Sequence, residues 1–271
     1  MAIVKGAIQA TGSIKGVSFY TRNGSDKVIM RTKGGASKSR IAKGAEFEKL
    51  RQHQQEWGAC VQFARAVKGA VGDITRLADF NLSPAWTGLG KNLMGLDKSA
   101  VVGERSVKLT AYRQALEGYE LNRRNPFNTV LRTTLAFTVD KEQLRATISF
   151  QRINTSMSLN NYRQLPYFRI LVTLGCVSDV RYNPLNLFYN YEPTSQTLHG
   201  LYAIHTGEWL STDDIIAEKT FTLQLSEDMI PEDKSEVTLL LSVGVEFGKV
   251  GFGGEILPVK YAGSGKILAS L

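Results

Sequence analysis

Acid is almost missing from the first 43 residues, where Asp26 stands alone, and the 271-residue chain holds only two cysteines and three histidines. Each scarcity excludes a class of protein. Cys60 and Cys176 lie far apart in the chain, so no disulfide framework is expected and each reads as a small buried hydrophobe. His53, His199 and His205 form no His-x-x-x-His pair, and there is no Cys-x-x-Cys. On one extended strand, residues 199 and 205 would stand about 20 Å apart, too far for one metal ion. A Gly-x-Ser-x-Gly elbow and a P-loop are also missing. No apolar run approaches the roughly 18 residues that cross a bilayer, and the opening residues carry no secretory signal. The expectation is a non-enzymatic protein with no cofactor, no metal, no membrane contact and no small-molecule substrate. Its expected place is the cytoplasm or an assembled particle.

What the N-terminus does contain is base. Lys5, Lys15, Arg22, Lys27, Arg31, Lys33, Lys38, Arg40 and Lys43 against Asp26 give +8, the formal net charge of the whole chain. The 228 residues that follow balance to zero. The pI near 9.4 therefore describes a segment rather than a domain. A concentrated basic segment calls for an anionic partner, either nucleic acid or an acidic surface.

Three regions differ in hydrophobic period. Residues 1–43 read as a glycine-rich β-hairpin arm, with Ile14 to Arg22 and Lys27 to Thr32 flanking an Asn23-Gly24 turn. A lone two-stranded hairpin is marginal in water and has to dock on something. Lys33 to Lys43, dense in base, glycine and serine, reads as an exposed linker. Residues 44–125 read as a small helical bundle. Phe47, Leu50, Gln54, Trp57, Val61, Ala64 and Val67 or Lys68 predict one helix over 44–71. Ile74 and Leu77 predict a short helix after Asp73. Ser83 as cap with Pro84 at the first helical position predicts a third helix, ending near Leu96. Leu109, Tyr112, Leu116 and Tyr119 predict a fourth over 104–121.

From residue 126 onward the period is 2. Asp140-Lys141 reads as a turn, Phe168 to Leu174 as a central strand, and Val237 to Phe247 as the longest alternating stripe. Further strands are expected near 186–191, 198–205, 220–225 and 255–268. About eight strands without intervening helices predict an antiparallel β-sandwich over 126–271. The fold class is then α+β. Gly248 to Gly254 falls between two strands and reads as a hairpin turn with a bulge rather than a phosphate cradle. Asp213-Asp214, Glu227-Asp228 and Glu232-Asp233 read as solvated loops.

Three readings of the basic segment stand side by side. It packs on its own body, its lysines serving solubility. It is an assembly arm, adding to a neighbouring copy by sheet edge and charge. Or it binds nucleic acid, with phosphates on Lys15, Arg22, Lys27, Arg31, Lys33, Lys38, Arg40 and Lys43 and bases stacked on Phe19 and Tyr20.

The run Gly12-Ser13-Ile14-Lys15-Gly16-Val17-Ser18-Phe19-Tyr20, followed by Val28-Ile29-Met30-Arg31-Thr32-Lys33, resembles an uncharacterised protein family of Bacteroidota, a domain of unknown function. The resemblance implies a bacterial or bacteriophage origin and a β-rich C-terminal half, and it implies no activity. The expected role is structural: a homo-oligomer, filament or phage-like particle component held by the arm, with nucleic-acid binding by the same arm as the alternative.

Overall fold

The computed structural model describes residues 2–4, 11–22, 25–32, 34–185, 188–192, 201–226 and 234–271. Asn23, Gly24, Lys33, His199 and the acidic pairs at 227–228 and 232–233 lie outside the described residues. The chain forms two compact units, Met1–Arg51 and Gln52–Leu271.

In the first unit the strands are β1 (Ala2–Val4), β2 (Gly12–Ile14), β3 (Val17–Thr21) and β4 (Val28–Thr32). They form one antiparallel sheet in the order β1-β4-β3-β2. The expected two-stranded hairpin is thus the centre of a four-stranded sheet. The added strands supply the cross-strand pairs that a bare hairpin lacks. The expected linker is also partly ordered, as helix α1 (Lys38–Lys43), whose Ser37 cap accepts a hydrogen bond from the Arg40 amide. Arg51 donates to the carbonyls of Ile41 and Gly44 at 2.7 Å each and so closes the C-terminal end of α1.

Helix α2 (Glu48–Val71) leads into the second unit, followed by a 3-10 turn at Gly72–Leu77 and helix α3 (Leu82–Leu96). The buried face of α2 follows the predicted stripe only in its second half: Ala64 and Val67 are buried, but Leu50 and Trp57 are exposed, and Ala59, Cys60, Phe63, Ala66 and Ala70 complete the buried face. α3 starts before the expected Ser83-Pro84, with Asn81 as its cap. Pro84 is tolerated in the first turn because that turn's N–H groups have no intrahelical partner.

The helix expected over 104–121 is absent. That stretch is a chain of turns with one short 3-10 piece, Arg113–Ala115. Its amides are spent on the sheet: Val107 exchanges two hydrogen bonds with Val180, Gly118 donates to Ile267, and Leu121 donates to Gly265. Gly103 (φ 102°) and Gly118 (φ 73°) adopt the left-handed backbone that breaks a helix there.

The C-terminal part is β-rich and antiparallel throughout. After α4 (Phe127–Val130) come β5 (Leu135–Asp140), β6 (Arg145–Phe150), β7 (Ile153–Asn154), α5 (Thr155–Ser158), β8 (Tyr167–Asn183), β9 (Phe188–Glu192) and β10 (Tyr202–Thr206). Then follow β11 (Leu210–Ser211), β12 (Ile215–Ile216), β13 (Lys219–Gln224), β14 (Val237–Val250), β15 (Ile256–Pro258) and β16 (Ser264–Ser270). A seven-stranded sheet is built on β8 and β14, with β13-β6-β5 as a separate sheet. The fold class is α+β.

The β8–β14 pair separates two cores. Ile170, Val172, Leu174, Leu239, Leu241 and Val243 join Ile148, Phe150 and Leu223 of the smaller sheet. Leu171, Val177 and Leu240 point the other way and join Phe63, Val67, Trp86 and Met94 of α2 and α3. This is the period-2 alternation of a strand buried on both faces. Each such side chain contributes about 1.5–3 kcal/mol by leaving water.

Candidate functional site

Cross-strand register sorts the N-terminal sheet into two faces. Val17 pairs Thr32, Phe19 pairs Met30, Thr21 pairs Val28 and Ile14 pairs Val17, so these residues share one face. Ser13, Ser18, Tyr20, Ile29 and Arg31 share the other. Phe19 and Tyr20 therefore cannot form one stacking platform. The first face is an apolar row in which Ile14 is 64% exposed and Met30 36%.

The basic residues are dispersed around this sheet rather than gathered. Lys15 sits in the turn between β2 and β3 with φ 38°. Arg22 and Lys27 lie at the opposite end of β3 and β4, about 15 Å away by strand rise. Arg31 stands over the Tyr20 ring at 5.6 Å. Lys38, Arg40 and Lys43 belong to α1 and are exposed. Arg40 pairs with Glu46 at 3.0 Å, an exposed contact worth about 0–1 kcal/mol. Lys33 lies outside the described residues.

In the second unit the structure gathers charge that spacing along the chain does not reveal. Glu56 of α2 is fully buried. It receives Arg105 at 2.7 and 2.8 Å, Lys91 at 2.8 Å and the Gly103 amide at 3.0 Å. Burial alone would raise its pKa, but these donors outweigh burial and hold it at about 2. Asp97 follows the same pattern: against burial, Ser99, the Ser106 amide and Lys108 hold it at about 2. Both carboxylates are ionised, structural centres and hold no proton to exchange near neutral pH.

Glu246 of β14 is gripped by Arg76 at 2.7 and 2.9 Å and by Arg169. Arg169 lies over the Trp209 ring at 4.3 Å. Asp179 behaves differently, since burial pushes its carboxyl up despite two hydrogen bonds from Thr110. Cys60 and Cys176 are buried and free, as their isolation in the sequence suggests. Burial pushes their thiols up to about 11 and about 12, so neither is a thiolate near neutral pH. Among the described residues no group of three or more His, Cys, Asp or Glu is placed to hold a metal ion.

The described residues of the second unit line several concave regions, one of them between Asn128, Arg132, Leu135 and Leu268. His205 stacks on Phe221 at 4.2 Å and lines a cavity of about 330 Å³ with Glu208 and Lys219. On another side, cavities of about 350 and 330 Å³ share Tyr261. No family model, curated protein or solved structure matches the chain. The geometry alone has to carry the functional reading. No helix among the described residues is long and apolar enough to cross a membrane.

Proposed function

We propose that the chain is a non-enzymatic structural protein that assembles with copies of itself, as a homo-oligomer, filament or phage-like particle component, using its N-terminal unit for contacts between subunits. The observation that carries this reading is the apolar row Ile14, Val17, Phe19, Val28 and Met30 on one face of a small sheet. Ile14 and Met30 expose apolar surface there that burial against a neighbour would stabilise. The short outer strands β1 and β2 present edges to which another strand can add. The +8 charge of residues 1–43 would bias the approach of an acidic surface. The body behind the arm is then a sandwich-like scaffold that repeats from copy to copy. The resemblance of residues 12–43 to the Bacteroidota family belongs to the same reading and adds no activity.

Light scattering on the intact protein across a concentration series tests this. The expected result is a mass that rises above one chain, and that falls back in Ile14→Glu and Met30→Glu with the fold unchanged by circular dichroism. A monomer at every concentration ends the proposal.

One observation favours a second reading, nucleic-acid binding by the arm: Arg31 and Tyr20 pair on the face opposite the apolar row. A labelled oligonucleotide titrated at two salt concentrations tests it. Binding through phosphates weakens steeply with salt, and a flat response rules the reading out.

A further inference from the structure

Residues 44–271 carry no net charge, yet around Tyr261 the cations exceed the available carboxylates. Two cavities meet at that residue. One, about 330 Å³, has apolar walls from Leu77, Ala78, Pro258 and Val259, with Lys260 and the Arg76–Glu246 ion pair completing its lining. The other, about 350 Å³, is polar and takes in Asn125, Arg124 and Arg163. Each is at the small end of ligand-binding cavities.

The acids of the cleft are already engaged. Asp79 accepts the backbone amides of Arg123 and Arg124 at 2.9 and 3.1 Å. Glu246 is held by Arg76 and Arg169. Arg124 reaches Asp79 only at 4.0 Å and is 88% exposed. Arg163 spends one N–H on the Lys260 carbonyl at 3.1 Å and keeps its guanidinium 5.5 Å from the Tyr162 ring centre. Lys260 lines the same cavity as Glu246, whose carboxylate is held by the two arginines. Arg124 and Arg163 therefore line the polar cavity without full neutralisation, and Lys260 lines the adjoining one.

The cleft is also held in shape. Tyr162 donates to the Tyr261 carbonyl at 2.7 Å, and Arg163 anchors the preceding residue. Between these clamps Tyr261 adopts φ 58°, a left-handed backbone that costs a non-glycine residue. Strain of this kind persists where surrounding bonds impose it, and it concentrates at ligand sites. Its effect here is to set an exposed tyrosine ring at the junction of the apolar and cationic cavities.

We propose that the Tyr261 cleft binds a nucleotide unit. Its ring lies in the cavity walled by Leu77, Pro258 and Val259 beside Tyr261, and its phosphate lies against Arg124 and Arg163 of the polar cavity, with Lys260 in the adjoining wall adding positive charge. Phosphate alone would fill only the polar cavity, and an uncharged ring only the apolar one. A nucleotide joins a flat ring to a phosphate through one sugar, which suits two cavities that share a wall. A free nucleotide and a residue of a single strand present the same chemistry.

The inference stands apart from the assembly reading and is tested on the intact protein. Fluorescence anisotropy of a ribose-labelled adenosine monophosphate reports binding, with unlabelled adenosine monophosphate, adenosine, inorganic phosphate and a short oligothymidylate as competitors. The nucleotide is expected to compete at least about tenfold better than adenosine or phosphate, as one charge-assisted contact implies. Arg124→Ala with Lys260→Ala is expected to weaken binding by about tenfold or more at an unchanged thermal midpoint. Tyr261→Gly, which the backbone accommodates, is expected to weaken the nucleotide and leave phosphate unaffected. Competition by oligothymidylate that the double variant abolishes supports the same site and names a strand as the source. The inference is overturned by an absence of binding, by adenosine or phosphate competing equally, or by binding that survives the double variant, which would place it on the N-terminal charges.

Discussion

Arg105 meets Glu56 fork to fork, its Nε 2.7 Å from Oε1 and its Nη2 2.8 Å from Oε2. Glu56 sits on α2, Arg105 on the turn-rich stretch after α3, and Lys91 on α3 itself. One buried carboxylate thereby ties three segments together. Removing one partner leaves a charge uncompensated out of water, which is the costly case. Arg105→Ala is expected to lower unfolding free energy by about 3–5 kcal/mol, read from urea midpoints. Glu56→Leu combined with Arg105→Leu is expected to cost less than the sum of the two single changes. Strict additivity would refute the coupling.

Acid should act on the fold in two opposed stages. Glu56 and Asp97 lie below their ordinary 4.5 and 3.8 in the folded chain. The stability they add is present above those ordinary values and is lost as pH falls toward about 2. Asp179 and Glu120 are raised, first by burial, so the folded chain takes up their protons before the unfolded chain does. Those two groups add stability as pH falls through their raised values. Urea midpoints are expected to hold or rise from pH 7 to pH 5 and to fall below about pH 4. Glu56→Gln should flatten the acid fall, and an unchanged slope would remove Glu56 from the account.

Two glycine-to-alanine changes should have opposite signs. A Cβ on Gly175 of β8 would overlap the backbone of Ala70 in α2. Gly175→Ala is expected to cost about 1–3 kcal/mol or more. Gly58 is exposed in the interior of α2 with open space where its Cβ would lie. Gly58→Ala is expected to add about 0.5–1 kcal/mol. Thermal unfolding of the two variants checks both, and a stabilised Gly175→Ala would contradict the close packing described here.

The sequence made visible whatever depends on neighbours in the chain. The stripe Val237 to Phe247 and the run from Phe168 announce β14 and β8, because a strand buried on both faces needs apolar side chains at successive positions. The turn at Asp140-Lys141 and the glycine-rich hairpin at 248–254 follow from local backbone preference. The stretch 104–121 misleads for a physical reason. Leu109, Leu116 and Leu121 are indeed buried, but the amides of Val107, Gly118 and Leu121 bond to strands far along the chain, and that of Leu116 closes a local turn on Arg113. Spacing reports burial and does not report where an amide finds its acceptor. Helix α1 was not legible, because the basic, glycine- and serine-rich stretch around Ser37 reads as a linker. The Glu56 and Glu246 clusters and the Tyr261 cleft were not legible, since Lys91 and Arg105 lie 35 and 49 positions from Glu56 and Arg76 lies 170 from Glu246.

β8 and β14 run antiparallel over a register from Val237–Ser178 to Gly248–Tyr167, and Leu239 of β14 also exchanges two backbone hydrogen bonds with Leu271. Tension applied to opposite ends of the two strands would load these rungs together, in shear, whereas a pull on Tyr167 and Gly248, which share one end, would peel them one at a time. The resistance of the central pair to force is therefore set by the direction of the pull as much as by the number of its bonds.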